Sequence, residues 1–354
     1  MEEQKDIFDL LDMMVQPVFF VKDNRIIRSN AAAQQLFPQI GESILPLLEH
    51  SAEAYREFSD GCLYLPLTVA GQIVGASVRR MNGFDVFELD SDNGSDALRS
   101  LALVASTLRR PLSNAMAETV SLLDKQEDPE TLQQLSQLNR NLYQLLRLVG
   151  NMSDAEHLSA HCPMETVDIA ALFREIIEKT ATLASRSRIT LSYEGITEPV
   201  FSLANQSQLE RAVLNLVSNA MKFTPKGGCV RASLVKRGKT LRLTIQDSGS
   251  GIDQSVMGNL FQRYLRQPGI EDSRNGLGLG LHMVHSAALH HGGTLLLSRN
   301  EDGGTSAVLT IAIRQKTAGT LRSPIFEMDY AGGFDHCLVE LSDALPFDLF
   351  DGSF

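Results

Sequence analysis

Tryptophan is absent from the 354 residues, and aromatic side chains make up only 6% of them. Four cysteines are present, Cys62, Cys162, Cys229 and Cys337, with no C-x-x-C pair among them. Such spacing supports no structural zinc site, thiol redox motif or disulfide framework, and free thiols suit a reducing compartment. Long apolar runs are also missing: no stretch of eighteen apolar residues occurs, and the acidic start Met1–Leu11 has no apolar leader region. The expectation is a soluble cytoplasmic protein with no membrane span. Basic side chains are the minority, 32 against 43 acidic, for a net charge of −11, which argues against direct nucleic-acid binding. What is present is an apolar fraction of 43%, enough at this length for two or three domains with their own cores.

Four segments follow from patterning. In residues 1–92, Pro17–Val21 and Arg25–Ser29 read as strands joined by Lys22-Asp23-Asn24, and the helical run Ala31–Phe37 stops at Pro38. Three more strand-like runs, Cys62–Val69, Gln72–Arg80 and Phe84–Leu89, are separated by Ala70-Gly71 and the hairpin signal Asn82-Gly83. Residues 97–157 switch to spacings of three and four: Leu98, Leu101, Ala105, Leu108, Leu112, Ala115, Thr119 and Leu122, then Leu135, Leu138, Leu142, Leu145, Val149 and Met152. These predict an antiparallel helical hairpin, completed either by a second copy as a dimeric four-helix bundle or by a neighbouring domain. Residues 164–315 alternate helices (Ile169–Ala184, Gln206–Lys222, Gly278–His290) with strands (Thr190–Tyr193, Val230–Val235, Thr240–Gln246, Gly293–Arg299, Thr305–Ile313). Residues 316–354 form an acidic tail with apolar clusters, read either as a flexible extension or as a docking segment.

The residues with chemistry lie between 205 and 305. Asn215, Asn219 and Lys222 fall at spacings of four and three on one helix face. Two amide oxygens that can meet a hard cation, with an ammonium one turn on, suit a Mg²⁺-bound polyphosphate. A strand ends at Asp247-Ser248-Gly249-Ser250-Gly251-Ile252, where glycines let backbone approach a ligand. The run Asn275-Gly276-Leu277-Gly278-Leu279-Gly280 then opens a helix whose N–H groups can face phosphates.

In this order, the segment resembles the ATP-binding domain of sensor histidine kinases, within the wider GHKL ATPase family. Asn215–Pro225 resembles the N box, Asp247–Ile252 the first glycine box, Leu260–Arg266 the F box, Gly276–Gly280 the second glycine box, and Gly304-Thr305 the closing motif. The resemblance implies that Asp247 binds the adenine amino group, that Asn219 and Asn215 hold Mg²⁺, and that Lys222 meets phosphate. Gly249 and Gly251 would shape the adenine pocket, Gly276, Gly278 and Gly280 would permit a lid, and Thr305 would line the site. Arg263 and Arg266 would reach the γ-phosphate or the helical bundle. The implied fold is a multidomain chain: an α+β PAS-like domain (1–92), a dimeric four-helix bundle built from the 97–157 hairpin, an α/β-sandwich GHKL (Bergerat-type) ATP-binding domain (164–315), and the tail (316–354).

The family's dimerisation helix carries a phosphoacceptor motif H-E-L-R-T-P-L, and the matching stretch here is Ser106-Thr107-Leu108-Arg109-Arg110-Pro111-Leu112. Leu108, Arg109, Pro111 and Leu112 match; Ser106, Thr107 and Arg110 replace the chemical positions. An imidazole nitrogen is a nucleophile near neutral pH, whereas a serine hydroxyl needs a base that Thr107 cannot supply. His157 and His161 follow the hairpin, and His282, His285 and His290 read as exposed histidines of one helix with no metal partner nearby. The expected function is a degenerate sensor histidine kinase that binds ATP and Mg²⁺. It would dimerise through 97–157 and act as a nucleotide-responsive regulator or scaffold for a response regulator or another kinase. The alternative is an ATP-dependent kinase acting on a partner in trans. Residues 164–315 hold 17 basic and 13 acidic side chains, so the acidity lies outside the segment expected to bind a polyanion.

Overall fold

The computed structural model describes residues 16–36, 41–69, 71–81, 83–90, 95–157, 164–253, 279–300, 303–314 and 333–352. Strands β1 (Val18–Lys22) and β2 (Arg25–Ser29) are joined across Asp23 and Asn24, whose φ of 51° and 61° is the left-handed conformation that Asp and Asn tolerate in tight hairpins. The Asn30 side chain accepts from the Ala33 N–H at 2.9 Å and starts helix α1 (Ala31–Leu36). Two short helices without a strong periodic signal, α2 (Leu45–Leu48) and α3 (Ala52–Glu57), cover the face of β3 (Cys62–Val69), β4 (Gln72–Met81) and β5 (Phe84–Leu89). Phe19 and Phe87 stack in this core at 4.8 Å.

Helix α4 (Ser95–Leu123) runs antiparallel to α5 (Pro129–His157), with Pro111 inside α4. Asp128 starts α5 by accepting from the Thr131 N–H at 2.9 Å. The expected seam is only partly the buried one. Ala105, Thr119 and Val149 are buried, but Leu108, Leu122, Leu138 and Leu145 are about half exposed. Also buried are Met116 of α4 and, on α5, Tyr143 and Leu146, where α5 presents a second face to other parts of the chain.

The third unit holds β6 (Glu165–Asp168), α6 (Ile169–Arg186), β7 (Thr190–Gly195), β8 (Phe201–Ala204), α7 (Gln206–Phe223), β9 (Cys229–Arg237), β10 (Thr240–Asp247), α8 (Leu279–His290), β11 (Leu295–Arg299) and β12 (Thr305–Ala312). Asp168 caps α6, accepting from Ala170 and Ala171, and Asn205 caps α7, accepting from Gln208 at 2.9 Å. The helices bury their apolar faces on the strands in one continuous core. Among the described residues only β7 and β9 pair in parallel in the large sheet, and β6 and β8 form a separate antiparallel pair.

The N-terminal strands and the large sheet of the third unit form one sheet. Ten strands run in the order β2-β1-β5-β4-β3-β11-β12-β10-β9-β7. The join is antiparallel, with Tyr64, Leu63 and Cys62 of β3 opposite Leu295, Leu296 and Leu297 of β11. Tyr64 packs in the core of the third unit, lies with its ring tilted against His285 of α8 at 4.2 Å and donates to Asp90 Oδ2 at 2.5 Å, while Leu296 packs against the N-terminal core. Glu57 adds exposed ion pairs with Arg237 (3.3 Å) and Arg242 (2.6 Å), which by their exposure add little.

The join depends on Gly61, whose φ is +95° and whose Cβ would stand 2.1 Å from the Leu297 carbonyl oxygen. Gly61→Ala is expected to lower stability by about 2–4 kcal/mol. Gly71→Ala, at a positive φ but in open space, is expected to cost only about 1 kcal/mol. Urea unfolding of the two variants side by side checks the difference.

The tail is ordered where it is described. Asp335 caps α9 (His336–Leu341) by accepting from Cys337 and Leu338, and a 3-10 turn, Phe347–Phe350, follows. Helix α9 lies against α5 and α7 and the 3-10 turn against α5, with Cys337, Leu338, Leu341, Leu345, Leu349 and Phe350 buried. Of the two readings of this segment, docking is the one observed for residues 333–352. Among the described residues no helix is long and apolar enough to cross a membrane.

Candidate functional site

Three chain segments meet at the C-terminal end of β10. Asp247 is buried, and its Oδ1 accepts from the Gly249 N–H at 2.8 Å and the Thr305 N–H at 3.1 Å. Asn300 donates through Nδ2 to the backbone oxygens of Asp247 (3.0 Å) and Thr305 (3.1 Å), tying the turn before β12 to the end of β10. Burial pushes the Asp247 carboxyl above its ordinary range, and the two backbone N–H groups pull it part of the way back. The result is a fixed acceptor in a dry corner, suited to a ligand N–H donor.

The glycines allow this closeness. A Cβ at Gly249 would lie 2.4 Å from the Phe223 carbonyl oxygen at the end of α7, and one at Gly304 would lie 1.9 Å from the Asp247 carbonyl oxygen. At Gly251, φ is +75° and a Cβ would meet the Gly303 oxygen at 2.3 Å. Asp247, Gly249, Gly251 and Thr305 are therefore gathered in one corner. Its buried carboxylate acceptor fits an amino-bearing ligand, and close backbone packing at Gly249, Gly251 and Gly304 fixes where that acceptor stands.

The amides on α7 divide. Asn219 and Lys222 are half-buried, and the Lys222 Nζ sits 5.6 Å from the Phe223 ring centroid. Asn215 is fully buried: its Oδ1 accepts from Arg147 Nη2 of α5 at 3.1 Å, and its Nδ2 donates to the Arg211 carbonyl at 3.0 Å and to Glu340 Oε2 at 3.4 Å. Gly280 lies on the same side, where a Cβ would be 2.6 Å from Asn215 Oδ1. Asn219 thus stands where an amide can reach a cation, while the Asn215 oxygen is engaged by a guanidinium. Gly276, Gly278, Arg263 and Arg266 lie outside the described residues.

Ser106 is exposed on α4, and its hydroxyl donates back to the Leu103 carbonyl at 2.8 Å; Thr107 does the same to Val104 at 2.7 Å. The histidines of α8 differ from expectation. His282 and His285 are buried, with Nδ1 of the first 2.7 Å from Nε2 of the second, because α8 is enclosed by the sheet, β3 and α5. No metal-binding cluster occurs among the described residues. The thiols of Cys62 and Cys337 are pushed up to about 12 by burial and are inert at neutral pH.

Two further side chains hold the site in place. One is Asn300, in the turn before Gly304. The other is His291, whose Nε2 accepts from the Asn205 N–H at 3.0 Å, fixing the start of α7, while its Nδ1 faces the Ala287 carbonyl at 2.7 Å. Burial lowers the His291 pKa from 6.5 to about 4, so the ring is neutral in the fold. The unfolded chain takes up a proton that the fold refuses. Stability is therefore full above pH 6.5, falls as pH drops through the window from 6.5 to 4, and levels below it, by about 3 kcal/mol in all. Urea unfolding across this range should show a slope that His291→Gln loses.

A sequence model of the histidine kinase-, DNA gyrase B-, and HSP90-like ATPase family matches residues 204–315. Hybrid signal transduction histidine kinase D of Dictyostelium discoideum is 28% identical over 251 residues, covering 64% of this chain and 16% of that protein. Sensor histidine kinase TmoS of Ectopseudomonas mendocina is 31% identical over 211 residues, covering 57% of this chain and 22% of that protein. The chain thus spans less than a quarter of the length of these two relatives. Among solved structures, full-length ShkA in complex with AMPPNP aligns with a TM-score of 0.50 at 22% identity, covering 62% of this chain and 47% of that one, a likeness of fold.

Proposed function

We propose, from the premise that the chain belongs to the histidine kinase family, that it binds Mg-ATP but does not phosphorylate itself on histidine. The observation that carries this reading is a contrast within one chain. The corner around Asp247 holds Gly249, Gly251 and Gly304 and two backbone N–H contacts to the carboxylate, whereas the phosphoacceptor position on α4 holds Ser106, its hydroxyl bonded into its own helix. Asp247 would take the adenine amino group, Asn219 would hold Mg²⁺, and Lys222 would face phosphate. When bound, the Mg-nucleotide supplies the triphosphate charge that the basic surface of residues 164–315 offsets.

Residues 1–92 would act as a PAS-like regulatory domain, a reading supported by the strand order β2-β1-β5-β4-β3 beside covering helices. The half-exposed leucines 108, 122, 138 and 145 support homodimerisation through residues 97–157, since a helical hairpin cannot cover that stripe alone. The dimer would then be a nucleotide-responsive regulator or scaffold for a response regulator or another kinase. Mg-ATP at a hundredfold its Kd is expected to stabilise the protein by roughly 2.7 kcal/mol, read as a thermal shift. No shift at millimolar nucleotide would overturn the reading. Transfer of label to a partner protein, lost in Asn219→Ala, would instead favour a kinase acting in trans.

A further inference from the structure

Residues 333–352 fill a groove whose walls come from both the hairpin and the ATPase-family domain. On the hairpin side, Arg140 donates to the Ser342 carbonyl at 3.0 Å, Asn139 to the Phe350 carbonyl at 2.9 Å, and Tyr143 packs on the Phe350 ring at 5.0 Å. On the other side, Lys179 of α6 meets Asp335 at 2.8 Å and His336 meets Glu210 of α7 at 3.1 Å. The groove is basic and apolar, and its occupant is an acidic amphipathic segment.

At its centre lies a buried charge cluster. Glu340, with 1% of its side chain exposed, accepts from Arg147 Nε at 3.3 Å and Arg211 Nε at 3.2 Å, and Arg147 also donates to Asp343 at 2.9 Å. Isolated buried charges are costly, so the two guanidiniums are held in this position by the tail's carboxylates. Arg147 in turn occupies the Oδ1 of Asn215, and Glu340 accepts from its Nδ2. One amide on α7 is thereby shared by the hairpin, the tail and α7 itself.

We propose that the groove between α5, α6 and α7 is a docking site for the chain's own acidic segment 333–352, and that this docking opposes nucleotide binding by withholding Asn215. The inference rests on the nucleotide-binding reading above, extended by Asn215 as the second magnesium-holding amide that the family resemblance implies. With the tail docked, the Asn215 oxygen points to Arg147 and α7 is tied to α5. Nucleotide that recruits this amide must draw Asn215 away from Arg147, which loosens Glu340 and the helix that carries it. The coupling is reciprocal: the tail weakens nucleotide by the factor by which nucleotide loosens the tail.

The test uses the full chain. Hydrogen exchange of residues 336–350 is followed with and without saturating Mg-ATP, and nucleotide affinity is measured by calorimetry for the wild type and Glu340→Gln. That variant keeps the shape of the side chain while removing its charge. The expected results are exchange in the tail about tenfold faster with nucleotide, and an affinity about tenfold tighter in the variant. Nucleotide that binds while tail exchange stays unchanged or slows, with equal affinity in the variant, overturns the proposal. Failure of both proteins to bind any nucleotide is a separate result, which removes the nucleotide-binding reading itself.

Discussion

Asp247→Asn is expected to weaken Mg-ATP binding at least about a hundredfold while leaving the protein folded, a loss of about 2.7 kcal/mol. The amide keeps an oxygen for the Gly249 and Thr305 N–H groups, so the turn survives. What changes is the rest of the side chain, which loses its charge and gains a donor facing a donor. Asp247→Ala is expected to weaken binding as strongly and also to destabilise the fold by about 2–3 kcal/mol, because two backbone N–H groups beside a buried acceptor are left without it. Calorimetry with adenine nucleotide, paired with urea unfolding of both variants, separates recognition from scaffolding. Equal nucleotide affinity in wild type and Asp247→Asn would remove this carboxylate from the site.

Glu340→Ala is expected to be the most destabilising single change in the tail, at about 3–5 kcal/mol, because it leaves Arg147 and Arg211 buried beside each other without their shared carboxylate. Replacing all three, as Glu340→Leu with Arg147→Met and Arg211→Met, is expected to recover part of that loss, since the buried charges leave together while Asp343, Asn215 and Asn151 lose their arginine donors. Thermal unfolding of the single and triple variants tests this. A single variant as stable as the wild type would mean that water already solvates the two arginines.

The parts of the fold legible in the sequence are those fixed by local chemistry. Helix α7 follows from its apolar period and the Asn205 cap, and the end of β10 follows from a carboxylate placed just before two glycines. The β1–β2 hairpin follows from Asp23-Asn24. The candidate site was legible to the same extent, because Asp247, Gly249, Gly251 and Asn219 lie in short motifs.

What was not legible depends on contacts between distant segments. Glu340 lies 193 residues from Arg147, and an isolated glutamate in an acidic tail gives no hint of a buried partner. The pairing of β3 with β11 leaves no local trace, since an edge strand that will be covered reads like one that will not. His282 and His285 look solvent-facing on a helical wheel. They are buried because α8 is enclosed on more than one side, including by Tyr64 from the N-terminal sheet. The expected hairpin seam shifted for the same reason, since α5 packs on the tail as well as on α4.

The central claim, nucleotide binding without histidine self-phosphorylation, is tested most directly by incubating the purified full chain with γ-labelled ATP and Mg²⁺. Nucleotide should be retained while no acid-labile, base-stable phosphate forms on the protein. Acid-labile phosphate on any histidine of the chain would contradict the account.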